Sequence, residues 1–461
     1  MEGADCPKVK LEPSFLKEQG PMPWKEEQLQ PCASEELNSP GDAEEKAAAS
    51  FPPLASFKKL LLDGWDQPTH DADEKPVEKP GEKSKQLLHQ ERCAAITSDL
   101  CEMLLGEDLA YRGCLNSVAA FILEREVANS QSPYKETYEL VALGTGDVCY
   151  EGWMEFDGQK LHDLHGLVVA RRALMRYLYK QLLMCCSQDP AAFEKCIFCW
   201  AEDGEHLRLK PKYHLHLYLS QMPSGAAENL QTTLLQSNPS VDLHVSVKGV
   251  LKPVSYCCPS MLSAHVYCVS GSDKLTRWTV LGLQGALLSH FIYPVYITSI
   301  VLANPYRDHA VLHRLINKRL QLGPEDGLPS PYCRKKIYLF EGPRVASVDT
   351  PPECRSVSLN WCGGDEMLEL VNGAVGKAER DIVNPGGHFR PSRLCKAAML
   401  KSFRKVAQEM KREDLMSLPT YHDAKVQATA YQSAKLQLYN QLSVQDLSKW
   451  PQKQLVDSFC R

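Results

Sequence analysis

No apolar run in the 461 residues is long and clean enough to read as a membrane span. The most apolar stretch, 278–303, is interrupted by Gln284, Ser289, His290 and Pro294. It predicts a buried helix and then a buried strand. The first ten residues carry no apolar signal core, so a secreted protein is not expected. There is no net basic excess. The formal charge is −5, which excludes a uniformly basic nucleic-acid coat protein. A G-x-x-x-x-G-K-[ST] phosphate loop is missing, as is any local Ser/His/Asp nucleophile signature or internal repeat. What remains is an ordinary globular composition, 44% hydrophobic and 24% charged, with length for about two or three domains. The 18 cysteines are scattered along a long chain, a reducing-compartment pattern rather than a disulfide scaffold.

The charge is unevenly spread. Residues 1–90 hold 18 acidic and 11 basic side chains and 11 of the 30 prolines. Such a segment cannot bury enough apolar surface to offset its ordering entropy. The expectation is a disordered acidic tail over 1–90 with a short apolar island at 51–65, and a folded part over 91–461. From 388 to 461 the balance reverses to 13 basic against 6 acidic residues.

Apolar periodicity predicts helices at 91–105, 116–126, 164–185 and 272–289. Strands are expected at 138–143, 213–220, 243–256, 265–269, 293–302 and 336–340, with helices from 392 onward. Alternating strands and helices make an α/β fold. Cys196-Ile-Phe-Cys199 has C-x-x-C spacing, and Cys185-Cys186 and Cys257-Cys258 are adjacent pairs. The apolar surroundings of Cys196 and Cys199 favour buried thiols over a displaced zinc site.

Three segments stand in a telling order: His162-Asp163-Leu164-His165-Gly166-Leu167, then Pro223-Ser224-Gly225, then Ser270-Gly271-Ser272-Asp273-Lys274 with Arg277-Trp278. Together with DLHGLVVARRALMRYLYKQL, SLNW and RLCKAAML, they resemble the editase domain of the adenosine deaminases acting on RNA, and especially its germ-cell branch. The resemblance covers about 91–461. It implies a cytidine-deaminase-like mixed sheet flanked by helices, with a helical C-terminal extension.

Active zinc deaminases need one His and two Cys to hold Zn²⁺, and a Glu to move protons. Carried onto this chain, the His is His165, the Glu position holds Leu167, and the Cys positions hold Ser224 and Gly271. A lone imidazole is not a zinc site, and a leucine moves no proton. The resemblance therefore implies a pseudo-deaminase without zinc.

A second set of positions is retained. Editase domains enclose inositol hexakisphosphate, and the matching positions are Arg171, Arg172, Lys274, Arg277, Trp278, Gln284 and Lys396. Tyr421, Lys425, Tyr431, Lys435, Trp450, Lys453 and Asp457 complete them, while His162 and Gln452 depart from the pattern. Read as one helix, Tyr421, Lys425, Tyr431 and Lys435 share a face about 120° wide. A buried polyphosphate needs such a concentration of cations and planar donors.

For RNA, the counterpart of the base-flipping loop is 247–252, with Gly249 where the inserting side chain belongs. Gly146 replaces a substrate-contacting lysine and Glu228 an arginine. Thr145, Lys248 and Lys252 remain as candidate RNA contacts. No complete double-stranded-RNA-binding domain is recognisable, so structured or double-stranded RNA and ribonucleoprotein partners follow from the resemblance alone. So does an intracellular location, in the nucleus or in cytoplasmic granules. Two other readings stay open: an active RNA adenosine deaminase with a rebuilt site, and a protein-interaction module without an RNA role.

Overall fold

The computed structural model describes residues 87–460, apart from 107–109, 128–134, 188, 228–241, 259, 261, 263–265, 304–311, 321, 323–326, 347–350, 380–387, 446, 448 and 452–455. Residues 1–86 of the expected tail, with the 51–65 island, lie outside the described residues, as do Glu228, Gln452 and Lys453. The boundary expected after residue 90 needs correction, because His89 and Gln90 already belong to a helix.

The first described helix is α1 (His89–Leu105). Strands β1 (Ala119–Glu126) and β2 (Glu136–Gly144) follow, then α2 (Gly166–Cys185). Next come β3 (Phe198–Trp200), β4 (Leu207–Leu209), β5 (Tyr213–Leu219), β6 (His244–Val247), β7 (Val250–Pro253) and β8 (Tyr267–Val269). Helix α3 (Gly271–Leu281) leads to β9 (Ser299–Leu302), β10 (Tyr338–Glu341), β11 (Val357–Cys362), β12 (Glu369–Asn372), β13 (Lys377–Glu379) and β14 (Phe389–Arg390). The C-terminal helices are α4 (Lys396–Glu409), α5 (Tyr421–Val426) and α6 (Thr429–Val444), with a single turn at Glu413–Met416.

Nine strands form one mixed sheet in the order β10-β9-β5-β1-β2-β11-β12-β13-β14. The β5–β9 and β9–β10 pairs are parallel and the others antiparallel. One face carries α2, α4 and α5 over a large apolar core, while α6 packs into a smaller one with the end of α3. The other is covered by α1 over a second core. A separate three-stranded sheet, β7-β6-β8, stands beside it. Among the described residues no helix is long and apolar enough to cross a membrane.

Several expectations need correction. Residues 119–126 are a strand, not part of a helix. In β1 the side chains of Ala119, Phe121 and Leu123 enter one core, and Ala120 and Ile122 the other. A strand buried on both faces loses its alternation and reads as a continuous apolar run. The strand expected over 243–256 is a hairpin, β6–β7. Its two-residue turn, Lys248-Gly249, has φ of 50° and 72°. Positive φ at both positions is the demand of a type I′ turn, which explains Gly249 locally. The helix expected over 272–289 stops at Gly282 (φ 70°) and resumes for one turn at Gly285–Leu288. The strand expected over 293–302 is confined to β9. The single helix assumed for 421–435 is two: a capping box of Thr420 and Asp423 starts α5, and Ala428 (φ −74°, ψ 68°) separates it from α6.

Candidate functional site: a small deaminase-like cleft and a buried cationic cage

The three resembling segments converge. His165 is the N-cap of α2, Ser224 lies in the turn after β5, and Gly271 opens α3. With Leu167 and Lys274 they line one cleft of about 100 Å³. Ligand sites are typically about 300–1,000 Å³.

The two positions that would carry the cysteine ligands are bonded to each other. Gly271 N donates to Ser224 Oγ at 2.9 Å. Ser272 N and Oγ both donate to Ser224 O, at 3.0 and 2.8 Å. A Cβ on Gly271 would stand 3.2 Å from Ser224 N and 3.3 Å from Pro223 Cβ, so the glycine allows this close approach. Leu167 is 8% exposed and belongs to the main core. The leucine at the position that the resemblance gives to the proton carrier therefore serves packing.

His165 keeps a carboxylate partner: its Nδ1 lies 2.9 Å from Asp163 Oδ1. Asp163 Oδ2 accepts from Lys274 Nζ at 2.6 Å. Burial alone would raise the Asp163 pKa, but Lys274 and His165 outweigh it and hold the carboxyl well below the usual range. Lys274 also donates to Val269 O. Its ammonium thus borders the cleft as well as belonging to the set the sequence assigned to the cage.

The sequence offered no sign of two further donors here. Cys149 and Cys268 are 119 residues apart, and their sulfurs meet as a disulfide. Cys149 Sγ is 4.0 Å from His165 Nδ1. The C-x-x-C spacing, in contrast, creates no cluster: the partner of Cys196 is Cys185, Sγ to Sγ 2.7 Å.

The second constellation lies between α2, α3, α5 and α6. The Arg171 guanidinium lies over Trp278, 5.2 Å from the ring, and its Nε is buried with no hydrogen-bond partner. Arg277 donates to Tyr431 Oη at 3.0 Å and faces the rings of Trp450 (5.4 Å) and Tyr439 (5.9 Å). Tyr439 stacks on Trp450 at 5.2 Å and lies under the Lys435 ammonium, a role not foreseen from sequence. Lys425 and Asp457 form an ion pair, and Tyr421 stacks on Phe459. The helix break does not disperse this group, because α5 and α6 pack back onto the same point.

Electrostatics there are one-sided. Burial is the largest influence on Arg171; Tyr431 opposes it, Arg277 and Arg172 add to it, and the pKa falls to about 10. Lys435 is lowered by burial and by Arg277. Burial would raise the Tyr431 phenol, but Arg277 and Arg171 pull it below its ordinary value. Among the described residues Asp457 is the carboxylate facing these cations. Two assigned residues are otherwise engaged. Gln284 is spent on Leu281 O and Val295 N. Arg172 donates to Leu394 O at 2.6 Å. Lys396 begins α4 and adds positive potential at Asp457.

Of the candidate RNA contacts, Lys248 and Lys252 are exposed on the β6–β7 hairpin. Thr145 is not available: it is fully buried, and its hydroxyl accepts from Leu359 N at 2.9 Å. The sequence could not separate an exposed threonine from one stitching β2 to β11.

Residues 142–454 match the profile of the adenosine-deaminase (editase) domain. The chain is 30% identical over 343 residues to the double-stranded RNA-specific editase Adar of Drosophila melanogaster, covering 68% of this chain and 48% of that protein. It is 31% identical over 340 residues to the double-stranded RNA-specific editase B2 of Mus musculus, covering 68% and 44%. Against the mouse double-stranded RNA-specific adenosine deaminase it is 27% identical over 392 residues, covering 78% and 31%. The chain thus spans less than half the length of these relatives. With its mixed sheet, its helical layers and a profile match across most of its length, the chain belongs to the adenosine-deaminase (editase) domain family.

Proposed function

We propose that this chain is a catalytically silent member of that family, a scaffold associated with structured or double-stranded RNA in male germ cells. It is of the type represented by adenosine deaminase domain-containing protein 2. The observation that carries the reading is the Ser224–Gly271 hydrogen bond beside Leu167. It occupies the place where two thiolates and a proton-transfer carboxylate would have to stand. The names of the relatives supply the RNA class, and exposed Lys248 and Lys252 supply cationic contacts for phosphates. Incubation of the purified chain with long double-stranded RNA, followed by nucleoside digestion, should release no inosine above a buffer control. Inosine formed at the rate of an active editase domain would sink the reading.

The same proposal includes inositol hexakisphosphate as a structural group. Several cations (Arg171, Arg277, Lys425 and Lys435) face one carboxylate, and a buried Arg171 Nε lacks a partner. These residues fit a polyanion, since uncompensated buried charge is otherwise costly. Arg171, Arg277, Tyr431, Lys425 and Lys435 would hold it, with Trp278 and Trp450 as walls. Bound there, it would supply negative charge and rigidity rather than chemistry. Phosphorus analysis of purified, denatured chain should find about six phosphates per molecule. Finding none would remove the group from the proposal.

A further inference from the structure

Four donor side chains meet beside α2, three from one short segment and one, Cys268, 119 residues beyond Cys149. Cys149 lies between β2 and α2, Asp163 and His165 directly precede α2, and Cys268 is the middle residue of β8. Their ligand atoms all lie within 4.8 Å of one another. Cys268 is fully buried and Cys149 is 8% exposed. A β-bridge between Cys149 and Asp163 keeps two of the donors in register. A tetrahedral zinc site with arms of about 2.0–2.3 Å has edges of about 3.3–3.8 Å, so the cluster needs adjustments on the order of 1 Å.

We propose that the reduced chain binds one zinc-class divalent ion through Cys149, Cys268, His165 and Asp163. Two thiolates and an imidazole are the donors such an ion prefers, and the carboxylate completes four. The charges also match. Two thiolates and a carboxylate bring three negative charges, against two on the ion and one on Lys274, which sits 2.6 Å from Asp163 Oδ2. Four protein ligands close the coordination shell and leave no position for a reacting water. The site is therefore structural, tying β8 and the segment after β2 to the start of α2. It is separate from Ser224 and Gly271, which bond each other. It does not depend on the silent-scaffold reading, because Leu167 moves no proton with or without the ion.

The test uses the full chain, purified under reducing conditions, exposed to zinc sulfate and dialysed. Elemental analysis should find about one zinc per chain. Cys149→Ser and Cys268→Ser should each cut that at least tenfold, while Ser224→Ala leaves it unchanged. Should the cysteine variants fail to fold, cobalt substitution of the parent chain decides. A near-ultraviolet thiolate-to-cobalt charge-transfer band and strong tetrahedral visible absorption support the site. Zinc absent from the reduced parent overturns it, as does zinc retained by folded forms of both cysteine variants. A Cys149–Cys268 disulfide persisting in excess reductant does the same. The inosine assay on the zinc-loaded chain is read separately. Inosine there would refute catalytic silence and leave the metal measurement standing.

Discussion

Gly146 stands where the family resemblance expects an RNA-contacting lysine, and the backbone around it leaves no room for a side chain. Its φ is +121°, and a Cβ would lie 2.2 Å from Leu164 O. Real Cβ contacts stay beyond 3.0 Å, so either side must move by about 0.8 Å. Gly146 is held on both sides of its Cα. Gly146 N donates to Ser117 Oγ at 2.8 Å, and Gly166 N donates to Gly146 O at 2.7 Å. Gly146→Lys should therefore cost about 1–3 kcal/mol for the backbone conformation and about 1 kcal/mol for each hydrogen bond it distorts. The total is about 3–5 kcal/mol. Gly204→Lys is the control. Its φ is +69°, with nothing within 4 Å of a Cβ, so it bears only the conformational cost. Urea denaturation of both variants, followed by tryptophan fluorescence, reads the difference in midpoints at matched slopes. Gly146→Lys should be less stable than Gly204→Lys by about 2 kcal/mol or more. Equal midpoints would refute the claim that the β2–α2 junction leaves no room for a side chain at Gly146.

Other expectations follow from the same contacts. Lys274→Met leaves Asp163 charged and buried and should cost about 3–5 kcal/mol, with part of that recovered in Lys274→Met/Asp163→Asn, measured by a double-mutant cycle. Leu167→Glu puts a carboxylate into the main core. It should lose about 2–4 kcal/mol in denaturation while still forming no inosine, because Ser224 and Gly271 remain. Inosine restored by that single change would overturn the account of the cleft. His89 carries an acid-sensitive term. Burial and then His216 lower its pKa from 6.5 to about 4, outweighing Glu124. A lowered base means that the unfolded chain takes up the proton first. Stability should therefore fall as pH drops from about 6.5 towards 4, by about 1–2 kcal/mol once partial exposure is allowed for. His89→Gln should flatten that slope, as read by urea titrations across the pH range. An unchanged slope would remove His89 from the acid response.

The alternation of helices and strands, α1, β2, α2 and β5 was legible in the sequence, because each is amphipathic or flanked by clear turn residues. The β1 strand was not. Its two apolar faces serve two different cores, and a run buried on both sides carries no period. The break between α5 and α6 escaped for another reason. The face formed by Tyr421, Lys425, Tyr431 and Lys435 fits one helix numerically, and only the dihedral angles at Ala428 separate the two. The same four residues still meet, because α5 and α6 fold back against α2 and α3.

The sequence by itself determined which reactive groups this protein has and lacks. Leu167, Ser224 and Gly271 cannot supply a proton carrier or thiolates in any fold, since that is a property of the side chains. Tertiary structure decided what replaced them. It joined Ser224 to Gly271, packed Leu167 into the core, aimed Lys274 at Asp163, and withdrew Thr145 from solvent. It also brought Cys149 and Cys268 together beside His165. Those outcomes depend on distances between segments up to 214 residues apart. The packing of α2, β8 and α3 sets such distances, and local pattern carries no record of them.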